Sequence, residues 1–191
     1  KINEITNEDL SFELTNLKQY KEKRRKGEND SYICSIIRND SIDEFTAYCI
    51  RNKISLSGKI NISIYETNSF LIGKNPTLIE YAAFFGSIQI FQYLKLNNVD
   101  LQSSLWIYAI HSNNPHLIHL LEEYLVEPED ITYKKCLKES IKCHHNDIAD
   151  YIINSKFKNM KEQNLEEKII SYGFRYYNFK FIKFSEDFEQ N

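Results

Sequence analysis

Apolar residues fall at helical spacing on both sides of Gly86. Leu78, Ile79, Ala82 and Ala83 precede it, and Ile88, Ile90, Phe91 and Leu94 follow it. The pattern predicts two antiparallel helices, with Gly86 supplying the left-handed residue of the reversal between them. Asn98 is the matching terminator after the second helix. The Ala82-Ala83 pair lets the first helix approach its neighbours closely. The same unit returns 27 residues later, with Leu105 to Ile110 followed by Leu117, Ile118, Leu120 and Leu121. It returns after a further 31 residues as Leu137, Ser140 and Ile141 with Ile148, Ala149, Tyr151 and Ile152. A weaker copy lies 33 residues beyond that, as Ile169, Ile170, Tyr172 and Phe174 with Phe181, Ile182 and Phe184. An upstream copy, with Ile33, Ile36, Ile37, Ile42, Phe45 and Tyr48, precedes the Gly86 unit by 46 residues. A period near 30 residues with two helices per unit is the pattern of a helical solenoid, whose units bury their faces only by stacking.

The extra length between the first two units is an insertion from about Ile50 to Asn75. Its Ile54, Leu56, Ile60, Ile62 and Ile64 alternate in part with polar residues, which predicts a hairpin-like finger. Each end of the stack needs a cover. Leu10, Leu14 and Leu17 recur at i, i+4 and i+7 behind a candidate N-cap, Asn7, so an N-terminal helix is expected over the first unit. At the other end Tyr176, Tyr177, Phe179, Phe181, Phe184 and Phe188 suit either an aromatic capping helix or an edge strand over residues 179–184.

The run Thr77 to Gly86, with Ile90, Phe91, Leu94 and then Asn98 to Leu101, resembles an ankyrin repeat in its threonine start, double alanine, inter-helix glycine and closing aspartate. His145-Asn146-Asp147-Ile148 resembles the start of an ankyrin outer helix. More closely, the stretch from Asp30 to about Phe157 resembles an expanded protozoan family of ankyrin-type proteins whose domain has no assigned function. The phrases that carry this are Phe70-Leu71-Ile72, Leu78 to Gln92, Leu105 to Ser112, and Glu139 to Asp147. The resemblance implies an all-α, ankyrin-type solenoid of about five helix-turn-helix units, some degenerate, with a finger insertion and terminal caps. It divides the chain into a capping helix and basic linker over 1–29, repeats over 30–157, and a last repeat with an aromatic cap over 158–191.

Three departures stand out. Thr77-Leu78-Ile79-Glu80 replaces the usual Thr-Pro-Leu-His, so the histidine that bonds to the next repeat is missing. The 27-residue spacing predicts a truncated finger between the second and third units. Leu125 holds a left-handed position at a cost of order 1 kcal/mol, which predicts a different turn there.

Composition narrows the function. The 191 residues carry 24 Lys and Arg against 27 Asp and Glu, a net charge of −3, which disfavours a nucleic-acid binder. Five Gly and three Pro exclude collagen-like and turn-rich all-β chains. No apolar run reaches the roughly 18 residues of a membrane helix. Cys34, Cys49, Cys136 and Cys143 are sparse and unevenly spaced, which reads as reduced thiols in an intracellular, cytoplasmic or cytoskeleton-associated protein.

Candidate chemistry is thin. Cys143-His144-His145, with Cys136 seven residues earlier, invites a zinc reading, but the repeat register puts both histidines in a turn, so no metal or cofactor is expected. His116 and His119 share a helix face as half a metal site at most. Lys21 to Lys26 is a basic run that suits a nuclear-import signal, a phosphate-contacting patch or a solvated helix end. No nucleophile elbow, phosphate-cradling loop or His-Glu-x-x-His is present, so the chain is not expected to be an enzyme.

What remains is binding. Ankyrin-type proteins bind protein partners on the free face of their first helices, and the resemblance carries that expectation here. The corresponding positions are Ser35, Arg38 and Asn39; Tyr81, Phe84 and Phe85; Tyr108, His111 and Ser112; Glu139, Lys142 and Cys143; and Tyr172, Arg175 and Tyr176. Tyrosine and arginine dominate binding hot spots. The alternative for Phe84 and Phe85 is burial under the insertion. Two readings stay open: an adaptor or scaffold gripping a protein partner, and a structural subunit of a larger assembly such as a cytoskeletal complex.

Overall fold

The computed structural model describes residues 7–157 and 165–182, with side chains from residue 16 onward. The regular elements among the described residues are all helical, and no strand occurs among them. A long helix, α1 (Asn7–Lys26), leads into α2 (Tyr32–Arg38) and α3 (Ile42–Asn52). The pairs α4 (Leu78–Phe85) with α5 (Ile88–Leu96), α6 (Leu105–Ser112) with α7 (Pro115–Glu123), and α8 (Lys134–Lys142) with α9 (Asn146–Ile152) follow. The last described elements are α10 (Leu165–Arg175) and a 3-10 turn over Phe179–Phe181. The first helices pack in series, α2 on α4, α4 on α6, α6 on α8 and α8 on α10, so the helix pairs form one row.

The turns share one geometry. Asp40, Gly86, Asn113, His144 and Tyr177 all have positive φ, between 50° and 73°. These positions reproduce the spacings read from the sequence. In four of the five turns the next N–H reaches back to a carbonyl inside the first helix: Ser41 to Ile36, Ser87 to Ala82, His145 to Ser140, and Asn178 to Gly173. Such a bond closes a helix that ends in a left-handed residue. The equivalent positions across the five turns are mostly small. Ala82, Ala109, Ser140 and Gly173 are all buried, and a Cβ on Gly173 would stand 3.2 Å from the Asn178 carbonyl oxygen.

Side chains tie successive units together in the same register. The residue after each left-handed position reaches the preceding unit's first helix. Ser87 Oγ donates to the Ile37 carbonyl at 2.5 Å, and Asn178 Nδ2 donates to that of Ile141 at 2.9 Å. His145 Nδ1 lies 2.7 Å from the Ile110 carbonyl. Asn114 departs, reaching the Gly86 carbonyl at 3.5 Å. The Asp40 carboxylate accepts the N–H groups of Gln89 and Ile90, both at 3.0 Å, and so caps α5 from outside.

Leu125 differs from its expectation. It keeps the left-handed turn at φ 55° while 86% exposed. The strain is outweighed locally: Val126 is buried, and its N–H closes α7 on the Leu121 carbonyl at 2.8 Å. Asn98 is left-handed as read, at φ 59°.

The insertion is not a hairpin. It holds one isolated antiparallel bridge, Lys59 to Thr77, and otherwise runs through turns. Only Ile60 and Leu71 of its aliphatic residues are buried, while Ile62 and Ile64 face solvent. Asn68 accepts the Phe70 N–H at 2.9 Å and Glu66 accepts that of Asn68 at 2.8 Å, so side chains satisfy the backbone where a ladder would have done so.

The ends also differ from expectation. The described side chains of α1 are exposed, Leu17 at 48%, and they do not blanket the first unit. The last turns of α1 lean on the insertion, through Tyr20 against the Tyr65 ring and Arg24 Nη1 on the Ile64 carbonyl. The Leu10 and Leu14 side chains lie outside the described residues. The basic run is exposed and occupies the last turn of α1, where cations suit the helix dipole. At the other end Phe181 and Ile182 fold back, buried, onto α10, and 179–181 is a 3-10 turn rather than a strand. Phe184 and Phe188 lie outside the described residues. No helix among the described residues is long and apolar enough to cross a membrane.

Candidate functional site

The face nominated from the sequence forms one strip of contacting side chains across α2, α4, α6 and α8. Arg38 opens it. Its guanidinium pairs with Glu28 at 3.2 Å, donates to the Asn29 carbonyl at 3.0 Å and to the Tyr81 hydroxyl at 2.8 Å, and lies over the Phe85 ring. Tyr81 packs on Phe85 and Phe85 on Phe84, with ring centroids 4.7 and 5.0 Å apart. Phe84 meets the His111 ring at 5.2 Å. His111 Nε2 lies 3.0 Å from Glu139 Oε1, and Lys142 Nζ pairs with the same oxygen at 2.8 Å. Cys143 Sγ stands 3.6 Å from His111 Nδ1.

The expectation of an open aromatic stripe needs correcting. Tyr81, Phe84 and Tyr108 are buried, at 1%, 7% and 7% exposure. The cover over Phe84 and Tyr108 is Phe70 of the insertion. Its ring stacks on Phe84 at 5.7 Å, meets Tyr108 edge-on at 5.0 Å and lies 4.1 Å from His111. Lys74 then places its ammonium 3.2 Å from the Phe70 centroid. Tyr81 is sealed instead by Arg38 and Phe85. Phe85 itself stays half-buried, as do Ser35, Arg38, His111, Ser112, Glu139, Cys143, Tyr172 and Tyr176; Asn39, Lys142 and Arg175 are exposed. Tyr172, Arg175 and Tyr176 continue the register on α10, where the Tyr176 carbonyl meets His144 Nε2 at 3.1 Å.

Burial sets the chemistry of the strip. It raises the Tyr81 hydroxyl above its ordinary range and pushes Tyr108 up to about 12. Burial also pushes the Cys34 and Cys143 thiols up to about 11 and that of Cys136 up to about 12. Thiols in that range are protonated at neutral pH and poor nucleophiles. Glu139 runs the other way. Burial alone would raise it, but hydrogen bonds from His111 and Lys142 and their charges bring it down to about 2. The strip therefore holds a fixed carboxylate among aromatic rings and cations.

The zinc set read from the sequence disperses. Cys136 is fully buried, His144 serves the Tyr176 carbonyl and His145 the Ile110 carbonyl. Only Cys143 remains, and its neighbours are His111 and Glu139. Among the described residues, these three form the one group of three His, Cys, Asp or Glu side chains close enough to share an ion. His116 and His119 are exposed on α7, with His119 beside Glu122 at 3.6 Å.

Two contributors lay outside the residues nominated. Phe70 comes from an aperiodic segment with no register to place it. Glu80 had a readable signal, the Thr-x-x-Glu box: Thr77 Oγ1 accepts the Glu80 N–H and Glu80 Oε2 accepts the Thr77 N–H at 2.8 Å. Its other oxygen accepts from Ser104 Oγ of the next unit at 2.6 Å, so Glu80 makes the cross-unit bond for which the histidine was missing.

No family model, curated protein or solved structure matches the chain.

Proposed function

We propose that the chain is an ankyrin-type repeat module, non-enzymatic, that binds a protein partner on the turn-proximal rim of its first helices. The observation that carries this reading is the common register of five left-handed turns, which lines the ends of successive first helices along one side. That rim offers Asn39, Phe85, Ser112, Lys142 and Arg175 as half-buried or exposed side chains, while Tyr81, Phe84 and Tyr108 stiffen the wall behind them. Rigid support beneath a polar and aromatic rim lowers the ordering cost of binding. The protonated thiols support a role without covalent chemistry. The test is affinity capture from the native cell with the wild type and with an Asn39→Arg/Lys142→Glu/Arg175→Glu variant of unchanged circular dichroism. A partner held by the wild type and lost by the variant is expected; equal recovery would overturn the rim as the binding surface.

A second reading, a structural subunit of a larger assembly, is favoured by one observation. The last described unit exposes Phe174, Tyr177 and Phe179 at 58%, 77% and 67%, large apolar side chains at the end of a row that stacks by burying such faces. Changing all three to Ser leaves the row folded and, on this reading, releases the chain from the high-mass fraction of a cell extract.

A further inference from the structure

We propose that His111, Glu139 and Cys143 form a zinc site that staples the third and fourth units together, with water completing the coordination. The cluster lies within the strip described above, behind the proposed rim, and three observations converge on it.

The first is the ligand set and its spacing. Glu139 and Cys143 stand four residues apart at the end of α8 and so share one helix face, while His111 enters from the last turn of α6. The ligand atoms of the three lie within 4.8 Å of one another. His111 Nε2 is 3.0 Å from Glu139 Oε1 and 4.0 Å from Cys143 Sγ. A tetrahedral zinc with bonds of about 2.0–2.1 Å to N and O and about 2.3 Å to S needs its ligand atoms roughly 3.3–3.6 Å apart. The two His111 distances come within about half an ångström of that demand.

The second is support behind the histidine. The Phe70 and Phe84 rings lie against the imidazole, at 4.1 and 5.2 Å between centroids, and fix its plane toward α8. A ligand held in orientation before the ion arrives is what a metal site requires of its surroundings.

The third is charge. Zinc carries two positive charges; the ionised Glu139 supplies one negative charge and Cys143, on losing its thiol proton, the other. The balance is Zn²⁺ plus neutral His111, the Glu139 carboxylate and the Cys143 thiol giving a neutral first shell and one released proton. Lys142, which pairs with Glu139 in the metal-free chain, is exposed and competes with the ion.

The experiment is a titration of the reduced, chelator-stripped full chain with Zn²⁺ alone, read by competition with a chromophoric chelator, and with Co²⁺ alone, read by absorbance. One equivalent of zinc is expected, lost in His111→Gln and Cys143→Ser and kept in His119→Gln. The loss should exceed the roughly 10–100-fold that removal of an outer support costs. Lys142→Met should bind zinc more tightly, an effect that no merely structural role of Lys142 produces. Co²⁺ should give a sulfur-to-metal charge-transfer band that Cys143→Ser abolishes. Absence of that band in the wild type overturns the site whatever the variants do. So does zinc retained by both ligand variants, or lost equally with His119→Gln.

Discussion

The second and third units, and the third and fourth, meet at equivalent positions of the same repeat, yet the two junctions are made of different matter. At the first, Phe84, Phe70 and Tyr108 close over one another and leave Phe84 and Tyr108 7% exposed each. At the second, His111 faces Glu139 on the inner side. On the outer side Glu122 of α7 accepts from the Tyr151 hydroxyl of α9 at 2.6 Å and pairs with Lys156 at 2.6 Å, in the π-helical turn Ile153–Phe157. The backbone register is common to both. It fixes where neighbours meet and leaves the chemistry of the meeting to the side chains and to whatever insertion lies above. An apolar joint derives its stability from buried area, insensitive to pH. A joint of paired charges depends on protonation and on both partners being present.

The hardest blow to that contrast falls on the apolar joint. Phe84→Ala is expected to cost about 3 kcal/mol in urea denaturation, with little change between pH 4 and pH 7. A loss under about 1 kcal/mol would mean that Phe70 is loosely seated and the joint is not closed.

The charged joint should respond to acid. Burial opposes ionisation of Glu122, yet hydrogen bonds from Lys156 and Tyr151 hold its carboxyl below the ordinary 4.5. Its contribution is therefore complete above 4.5 and disappears as the pH falls through the lowered value. Glu122→Gln is expected to cost about 2 kcal/mol at pH 7 and to shrink that deficit in acid. A deficit constant across pH would deny the pairing its role.

Smaller effects probe the register bonds, one between the first and second units and one at the third–fourth joint. Ser87→Ala leaves the Ile37 carbonyl and His145→Ala the Ile110 carbonyl without its side-chain donor, at about 1 kcal/mol each in thermal or chemical unfolding. Equal costs at these two junctions would confirm that the register, unlike the packing, is indifferent to side-chain chemistry. The smallest change has the opposite sign. Leu125→Asn keeps the left-handed turn with a residue that tolerates it, and should raise stability by about 0.5–1 kcal/mol.

The repeat register was legible because a left-handed turn closing a helix leaves a mark at a fixed distance from apolar residues. Gly86 announced it, and the spacing carried it to Asp40, Asn113, His144 and Tyr177, where the residue type alone would not have. Leu125 was misjudged because propensity was weighed without the burial of Val126 beside it. The burial of Phe84 and Tyr108 depends on Phe70, which arrives from an irregular segment whose path no periodicity encodes. Cys143 was noticed for its sequence neighbours, His144 and His145, whereas its contacts are His111, a unit away, and Glu139, one helical turn back. Proximity across a stack follows the period of the repeat, and adjacency along the chain misdirects.

The donor that leaves one unit for the carbonyl of the unit before it bears on how such a chain can change length. A duplicated segment of one full period brings its own donor and presents its own carbonyl, so both new seams are chemically complete. A segment cut out of phase strands one group on each side. Whole periods are thus the cheap currency of growth here, and the 46-residue interval between the first two turns keeps the phase by confining its surplus to a surface excursion between units.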